Sequence, residues 1–245
     1  MFSHVIDSGR LLISTRQIIG RYPTLEQRSA LLSLNSLFQT LLILLAVKDG
    51  QAMVTIRYER LGCAWFAVAE NEKGHILSSS FSLVGKTEAV EAILKNLPAT
   101  LRDGVKEKRG KSSTLQMMYK LYCGKAVKGR PSLDMQSISP FTKSVYEVTS
   151  MIPRGFVSTY GMIASNLSNR FAQRAVGNAM RFNPFPLFIP CHRVVPSTMN
   201  VGRYSLSSNL KSDSNVKRAI LLREGVEFNG KKVLGKSLWS SKRRG

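Results

Sequence analysis

Histidine and cysteine are both scarce. The 245 residues carry three of each, His4, His75 and His192 with Cys63, Cys123 and Cys191. Three cysteines cannot all pair and none stands two residues from another, which argues against a disulfide framework and for free thiols in a reducing compartment. No cluster has the ligand spacing of a structural zinc site, so no metal is expected. Acidic residues are also few, fifteen Asp and Glu against thirty-six Lys and Arg, for a net charge of +21. Such a field attracts polyanions, and nucleic acid is favoured over a membrane surface because the basic residues are spread along the chain instead of collecting beside one anchor. A long apolar run is missing too. The stretch from Leu31 to Val47 is interrupted by Asn35, Ser36, Gln39 and Thr40, and it falls short of the ~20 apolar residues of a spanning helix. A helix packed on the domain is the expectation there. An Arg- and Ser-rich targeting segment over residues 1–50 is the alternative that the sequence leaves open.

What is present suits a folded chain with one large or two modest cores, since 43% of the residues are hydrophobic. From Ala52 to Leu83 the pattern is β, with Cys63 inside a strand and Glu70-Asn71-Glu72-Lys73-Gly74 as a turn before a return strand from His75 to Phe81. A helix is expected over Thr87 to Leu97, capped by Thr87 and closed by Pro98. The basic stretch Lys106 to Lys111 reads as a solvated loop, and Leu115 to Leu121 begins a short apolar element that ends at Cys123. Pro140 marks the entry to a second domain. A helix opens at Phe141 and is stopped by Pro153-Arg154-Gly155. Thr159 can cap the next one, and a third runs from Phe171 to Phe182, rich in Ala and Gly. Two short helices about the polar turn Asn169-Arg170 form a helix-turn-helix, whose second member can approach a DNA backbone closely. The expected division is residues 1–50 as an extension, 51–135 and 136–240 as two domains, and 241–245 as a basic tail.

The run Pro190-Cys191-His192-Arg193-Val194, entered through Pro186-Leu187-Phe188-Ile189, places a thiol, an imidazole and a guanidinium together at the end of an expected buried strand. A thiolate is the strongest nucleophile available near neutral pH, and an imidazole can take its proton. A small apolar residue in a core is the competing reading of the cysteine. If Cys191 needs a histidine, His192 is the one in its half of the chain.

The segments Ile152-Pro153-Arg154-Gly155, Ser158-Thr159-Tyr160-Gly161, Arg174-Ala175-Val176-Gly177-Asn178-Ala179-Met180, Asn183-Pro184, Pro190 to Val195, Val201-Gly202-Arg203-Tyr204-Ser205 and Leu221-Leu222-Arg223-Glu224-Gly225 follow one another in an order that resembles the O6-alkylguanine-DNA alkyltransferase family, the methylated-DNA-protein-cysteine methyltransferases. The resemblance covers roughly the C-terminal hundred residues. It implies an α+β fold, with an N-terminal RNase H-like small β-sheet with helices and a C-terminal, mostly helical, winged-helix-like domain carrying the helix-turn-helix. It implies irreversible single-turnover transfer of the alkyl group from O6-alkylguanine in double-stranded DNA to Cys191, with O4-alkylthymine left open as a second substrate. No cofactor, no stable protein partner and a monomer are implied, acting in the cytoplasm or, in a eukaryote, the nucleus.

The same resemblance assigns roles. Cys191 is the nucleophile and His192 its base, through a bridging water because adjacent side chains diverge. Glu224 orients His192, Asn183 fixes the turn before the active-site segment, and Tyr160 rotates a phosphate or donates to the guanine O6. Arg174 fills the space of the extruded base. Thr142, Asn169, Gln173, Gly177 and Ser197 lie near the DNA backbone, and Pro190, Tyr204 and Ser205 line the alkyl pocket. The chain departs from the family after Ser205, where Leu206-Ser207-Ser208 and several extra residues precede Glu224. A non-catalytic lesion-binding module of the alkyltransferase-like kind is opposed by the retained Cys191. A helix-turn-helix methylation sensor, which would carry an additional sensor domain or dimerise, is opposed by the lack of a separate cysteine cluster, and a papain-like protease by the lack of a suitably placed distant histidine.

Overall fold

The computed structural model describes residues 53–202, 204 and 213–240. Expectations for residues 1–50, for Ser205 and Leu206-Ser207-Ser208, and for the tail 241–245 lie outside the described residues. The architecture is α+β. Strands β1 (Thr55–Leu61), β2 (Ala64–Glu70), β3 (Ile76–Ser82) and β4 (Lys106–Arg109) form one mixed sheet in the order β3-β2-β1-β4. β1 to β3 make an antiparallel meander, and β4 pairs parallel with β1. The period of two along β2 divides the core: Ala67 and Ala69 face helix α1 (Lys86–Asn96) through Ala89, Val90, Ile93 and Leu97. Phe66 and Val68 face the opposite way, onto Leu115, Met118 and Tyr122 of helix α2 (Ser113–Tyr122) and onto the C-terminal half.

Four local expectations are corrected. Lys106 to Arg109 is a strand, although all four side chains are exposed, because an edge strand needs only backbone pairing and charges there block further pairing. Cys63 lies in the exposed two-residue turn between β1 and β2, beside Gly62 at φ +61°. Helix α1 is entered from Gly85 without a side-chain cap; Ser82 Oγ instead accepts the amides of Val84 and Gly85 just before it. Cys191 ends no strand: Cys191–Arg193 is a single 3-10 turn, followed by the two-residue strand β6 (Val194–Val195). Pro186 and Pro190 account for this, because each lacks an amide for a ladder and holds φ fixed.

In the C-terminal half, Ser139 caps helix α3 (Pro140–Ser150) by accepting the Thr142 amide, and Thr159 caps helix α4 (Tyr160–Asn166) by accepting that of Met162. Helix α5 (Gln173–Arg181) begins later than its apolar pattern indicates, because the turn closed by the Ala172 amide on Asn169 O occupies residues 169–172. Strand β5 (Ser158–Thr159) pairs parallel with β6. That short pairing sets Tyr160, directly after β5, beside the segment that carries Cys191. Helix α6 (Asp213–Glu224) and the hairpin of β7 (Phe228–Asn229) and β8 (Lys232–Val233) follow.

The end of α2 reaches the end of α6 through Gly124. At φ +69°, a Cβ on Gly124 would stand 2.2 Å from the Arg223 carbonyl oxygen and 2.8 Å from the Glu224 amide nitrogen. Neither the backbone angle nor the space accepts a side chain. Gly124→Ala should therefore destabilise the fold by more than about 3 kcal/mol, read as a lower denaturation midpoint in urea.

Candidate active site

The loop that leads to Cys191 is tied at both ends by one side chain. Asn183 Oδ1 accepts the Phe185 amide at 3.0 Å, and its Nδ2 donates to the Ile189 carbonyl at 3.2 Å. The Ile189 carbonyl also accepts the Cys191 amide at 2.8 Å. The loop is further knit to the sheet. β3 is an edge strand, and its Ser79 amide and Ser78 hydroxyl donate to Pro184 O, while the Ser79 hydroxyl donates to Pro186 O. Between these ties Leu187 is held at φ +74°, a conformation that a leucine rarely adopts.

Cys191 is 8% exposed and packs in the main core with Tyr146, Ile189, Val194 and Tyr204. Burial raises its thiol pKa above the ordinary value; the Asn183 amide, the Lys217 charge and the Tyr204 hydroxyl act against that rise. The Tyr160 hydroxyl is pushed up by burial and then by charge at Cys191, so phenol and thiol share one electrostatic environment. The Tyr204 ring stands edge-on to the His192 ring at 6.3 Å between centroids. Pro190, immediately before the thiol, is buried.

His192 Nε2 lies 3.1 Å from Glu224 Oε1, with both side chains almost wholly buried. Burial lowers the pKa of His192, and Glu224 offsets this only in part. A carboxylate only accepts, so Nε2 carries the proton and Nδ1 the lone pair. Nδ1 is buried and bonded to no protein group among the described residues. Burial acts to raise the pKa of Glu224, but His192 and Arg193 more than reverse it, to about 2. Arg193 forks onto the carboxylate, Nε to Oε2 at 2.9 Å and Nη2 to Oε1 at 2.7 Å, and its Nη1 donates to Ile152 O at 2.8 Å.

The expected residues therefore fall into two groups. Cys191, His192, Glu224, Asn183, Tyr160, Pro190 and Tyr204 surround or adjoin the thiol. Asn169, Gln173 and Arg174 are exposed on the turn and on α5, and Gly177 in the same helix has open space where a Cβ would stand. Thr142 is half-buried in the first turn of α3, where its hydroxyl accepts from Ser139, and Ser197 is exposed after β6. Two groups to which the sequence alone assigned no role belong to the first set. Arg193 holds Glu224, and Lys217 is buried with Nζ donating to Val194 O at 2.6 Å. The spacing Lys217, Ile220, Leu221, Glu224 is one buried helical face and was the available signal. Among the described residues no group of three or more His, Cys, Asp or Glu could hold a metal.

Burial depresses the Lys217 pKa from 10.5 to about 8, and the Cys191 charge only partly opposes this. Between those two pH values the unfolded chain holds a proton at Lys217 that the folded chain has lost, so this residue makes stability rise with pH across that window. The wild-type chain should gain roughly 3 kcal/mol from this source on going from pH 8 toward 10.5, relative to Lys217→Met, as measured by urea unfolding at several pH values.

Comparison with known proteins gives a consistent result. Residues 140–226 match the family model of the DNA binding domain of 6-O-methylguanine DNA methyltransferase. The methylated-DNA--protein-cysteine methyltransferase of Thermococcus sibiricus is 34% identical over 184 residues, covering 71% of this chain and 98% of that protein. Its namesake in Thermococcus barophilus is 39% identical over 137 residues, covering 54% of this chain and 75% of that one. The crystal structure of O6-methylguanine-DNA methyltransferase from Pyrococcus kodakaraensis superposes with a TM-score of 0.52 at 26% identity, over 71% of this chain and 100% of its own. With a thiol, a carboxylate-anchored imidazole and a phenol gathered on this fold, the chain belongs to the methylated-DNA--protein-cysteine methyltransferase family.

Proposed function

We propose that the chain removes the alkyl group of O6-alkylguanine from double-stranded DNA by moving it onto Sγ of Cys191, once per molecule. As a member of its family the chain is a DNA-repair methyltransferase that carries an alkyl group from DNA to a protein cysteine. The observation that supports the finer reading is the His192 ring. It is buried and biased toward neutrality, with Nε2 fixed by Glu224 and the Nδ1 lone pair uncommitted among the described residues.

The chemistry follows from that arrangement. His192 Nδ1 takes the Cys191 proton through a water, and Glu224 and Arg193 hold the ring as it becomes charged. Sγ attacks the alkyl carbon. The S–C bond forms as the C–O6 bond breaks, and the electron pair stays with guanine. The Tyr160 hydroxyl donates to the departing base, which lowers the barrier to its leaving as an anion. The thiol proton ends on guanine and the protein keeps a thioether, which water does not cleave. Because the thiol lies 8% exposed in the protein interior, the nucleotide must leave the helical stack to meet it. Arg174, exposed on α5, fills the gap it leaves, with Asn169, Gln173, Gly177, Thr142 and Ser197 against the backbone. Pro190, Tyr204 and Ser205 bound the alkyl group. The chain acts as a monomer, in whichever of cytoplasm or nucleus holds the DNA; among the described residues no helix is long and apolar enough to cross a membrane.

Intact-protein mass spectrometry after incubation with a methylated duplex should show one methyl in place of one hydrogen, mapped to Cys191 and absent in Cys191→Ser. Retained lesion binding without any mass gain would instead identify a non-catalytic binding module. Arg174→Ala should lower the ratio of the rate constant on duplex DNA to that on free O6-benzylguanine by at least about tenfold. Equal loss on both substrates would contradict the role given to Arg174.

A further inference from the structure

Among the described residues, Phe171 is the most exposed large hydrophobic side chain, at 93%, ahead of Phe182 at 68% and of Met151 and Val84 at 61%. A lone exposed apolar residue carries no message, since folded surfaces hold many. The position of this one does. Phe171 closes the turn between α4 and α5, between exposed Arg170 and the buried Ala172 that caps α5. Val176, Ala179 and Met180 bury one side of α5. Arg174, Asn178 and Arg181 are exposed on the other, and Phe171 stands in the turn that leads into α5, three residues before Arg174 in the chain. The ring at the far end of the helix differs, because the Arg181 guanidinium lies 5.4 Å from the centroid of Phe182.

Two physical facts limit what an aromatic ring can do there. Arg170 beside it and Arg174 three residues on are both exposed cations, a setting that disfavours a basic protein partner and attracts a polyanion. A ring so placed meets DNA as a flat apolar face, the kind of side chain that wedges between base steps from the minor groove and stabilises an unstacked duplex. Eversion of a nucleotide is opposed by lost stacking, and an aromatic surface replaces part of it.

We infer that Phe171 is a second wedge beside Arg174, stacking on a base next to the everted nucleotide in the minor groove of duplex DNA. The inference rests on the proposed reaction at Cys191. It divides the work of eversion: the guanidinium occupies the vacated space and satisfies polar edges, while the ring restores stacking to a neighbour. The side chain makes no substantial packing contact, so its removal leaves the fold intact.

The test compares wild type, Phe171→Ala, Phe171→Trp and Arg170→Ala. Phe171→Ala should lower the duplex to free-base rate ratio by about tenfold, with Phe171→Trp restoring it. Its affinity for a methylated duplex should fall with no change in the slope of log K against log salt, whereas Arg170→Ala should reduce that slope by about one. A 2-aminopurine beside the lesion should be quenched by wild type and less so by Phe171→Ala. A ratio and quenching equal to wild type in Phe171→Ala would overturn the inference while leaving the reaction at Cys191 standing. So would a concentration-dependent dimer in sedimentation that Phe171→Ala abolishes, since the ring would then face a second copy. Absence of methyl transfer to Cys191 in the wild-type chain would overturn both the reaction and the wedge.

Discussion

One buried carboxylate organises the chemical centre. Glu224 holds His192 on Oε1 and takes both nitrogens of the Arg193 fork, with its side chain 2% exposed. An isolated ion so deep in the protein would be strongly unfavourable, and a buried pair is tolerated only when every lone pair and proton finds a partner. Arg193 supplies that condition. It neutralises the carboxylate at every pH of interest, and its remaining contact, to Ile152 O, anchors the pair to the turn after α3. The consequence for the neighbouring ring is specific. With its carboxylate already matched by a permanent cation, His192 is not forced to be charged, and burial leaves it a neutral base. A His-Glu pair without the arginine would favour the imidazolium and have no capacity to take a second proton.

The N-terminal sheet reaches this centre through its edge. An unpaired edge strand exposes amides and carbonyls that will seek partners. Here β3 uses them on 132–134 and on 184–186, and the three consecutive serines Ser78, Ser79 and Ser80 are all buried. Loops with proline at both 184 and 186 have carbonyls but few amides to offer, so serine hydroxyls and one amide are suitable donors. These bonds and the two from Asn183 hold Leu187 in a left-handed conformation of order 1–3 kcal/mol above its preferred state. The sheet therefore acts on the thiol segment directly, by fixing the backbone from which Cys191 projects.

The sequence disclosed the chemistry more readily than its support. Pro190-Cys191-His192-Arg193 announces itself because three reactive side chains stand together, and Thr159 is legible as a cap because one residue type at one offset does that work. The strand expected before Cys191 failed because apolar content outweighed the two prolines in the reading, though the prolines decide the backbone. Lys106 to Arg109 failed the opposite way: four charged side chains concealed a backbone pairing that depends on none of them. Lys217 was hidden in a charged helix, since a lysine between Val216 and Arg218 looks solvated until the face shared with Glu224 is traced. Ser78 and Ser79 gave no signal at all, because their partners lie more than a hundred residues away and are backbone carbonyls that any residue provides.

The state of the Cys191 thiol ties these observations together. Burial drives it toward the protonated form, while Lys217, Asn183 and Tyr204 favour the thiolate, and burial prevails. For a nucleophile used once, a resting thiolate would be a liability, open to any stray electrophile that reached it. A thiol kept neutral by its surroundings, beside a neutral base, separates storage from reaction. In the proposed reaction, charge arises on sulfur only as His192 accepts the proton, and it is then met by the Lys217 cation and the imidazolium together. The raised thiol pKa thus suits a nucleophile that is switched on by the geometry of an arriving base, and the partners that oppose burial at rest are the ones positioned to stabilise the anion during transfer.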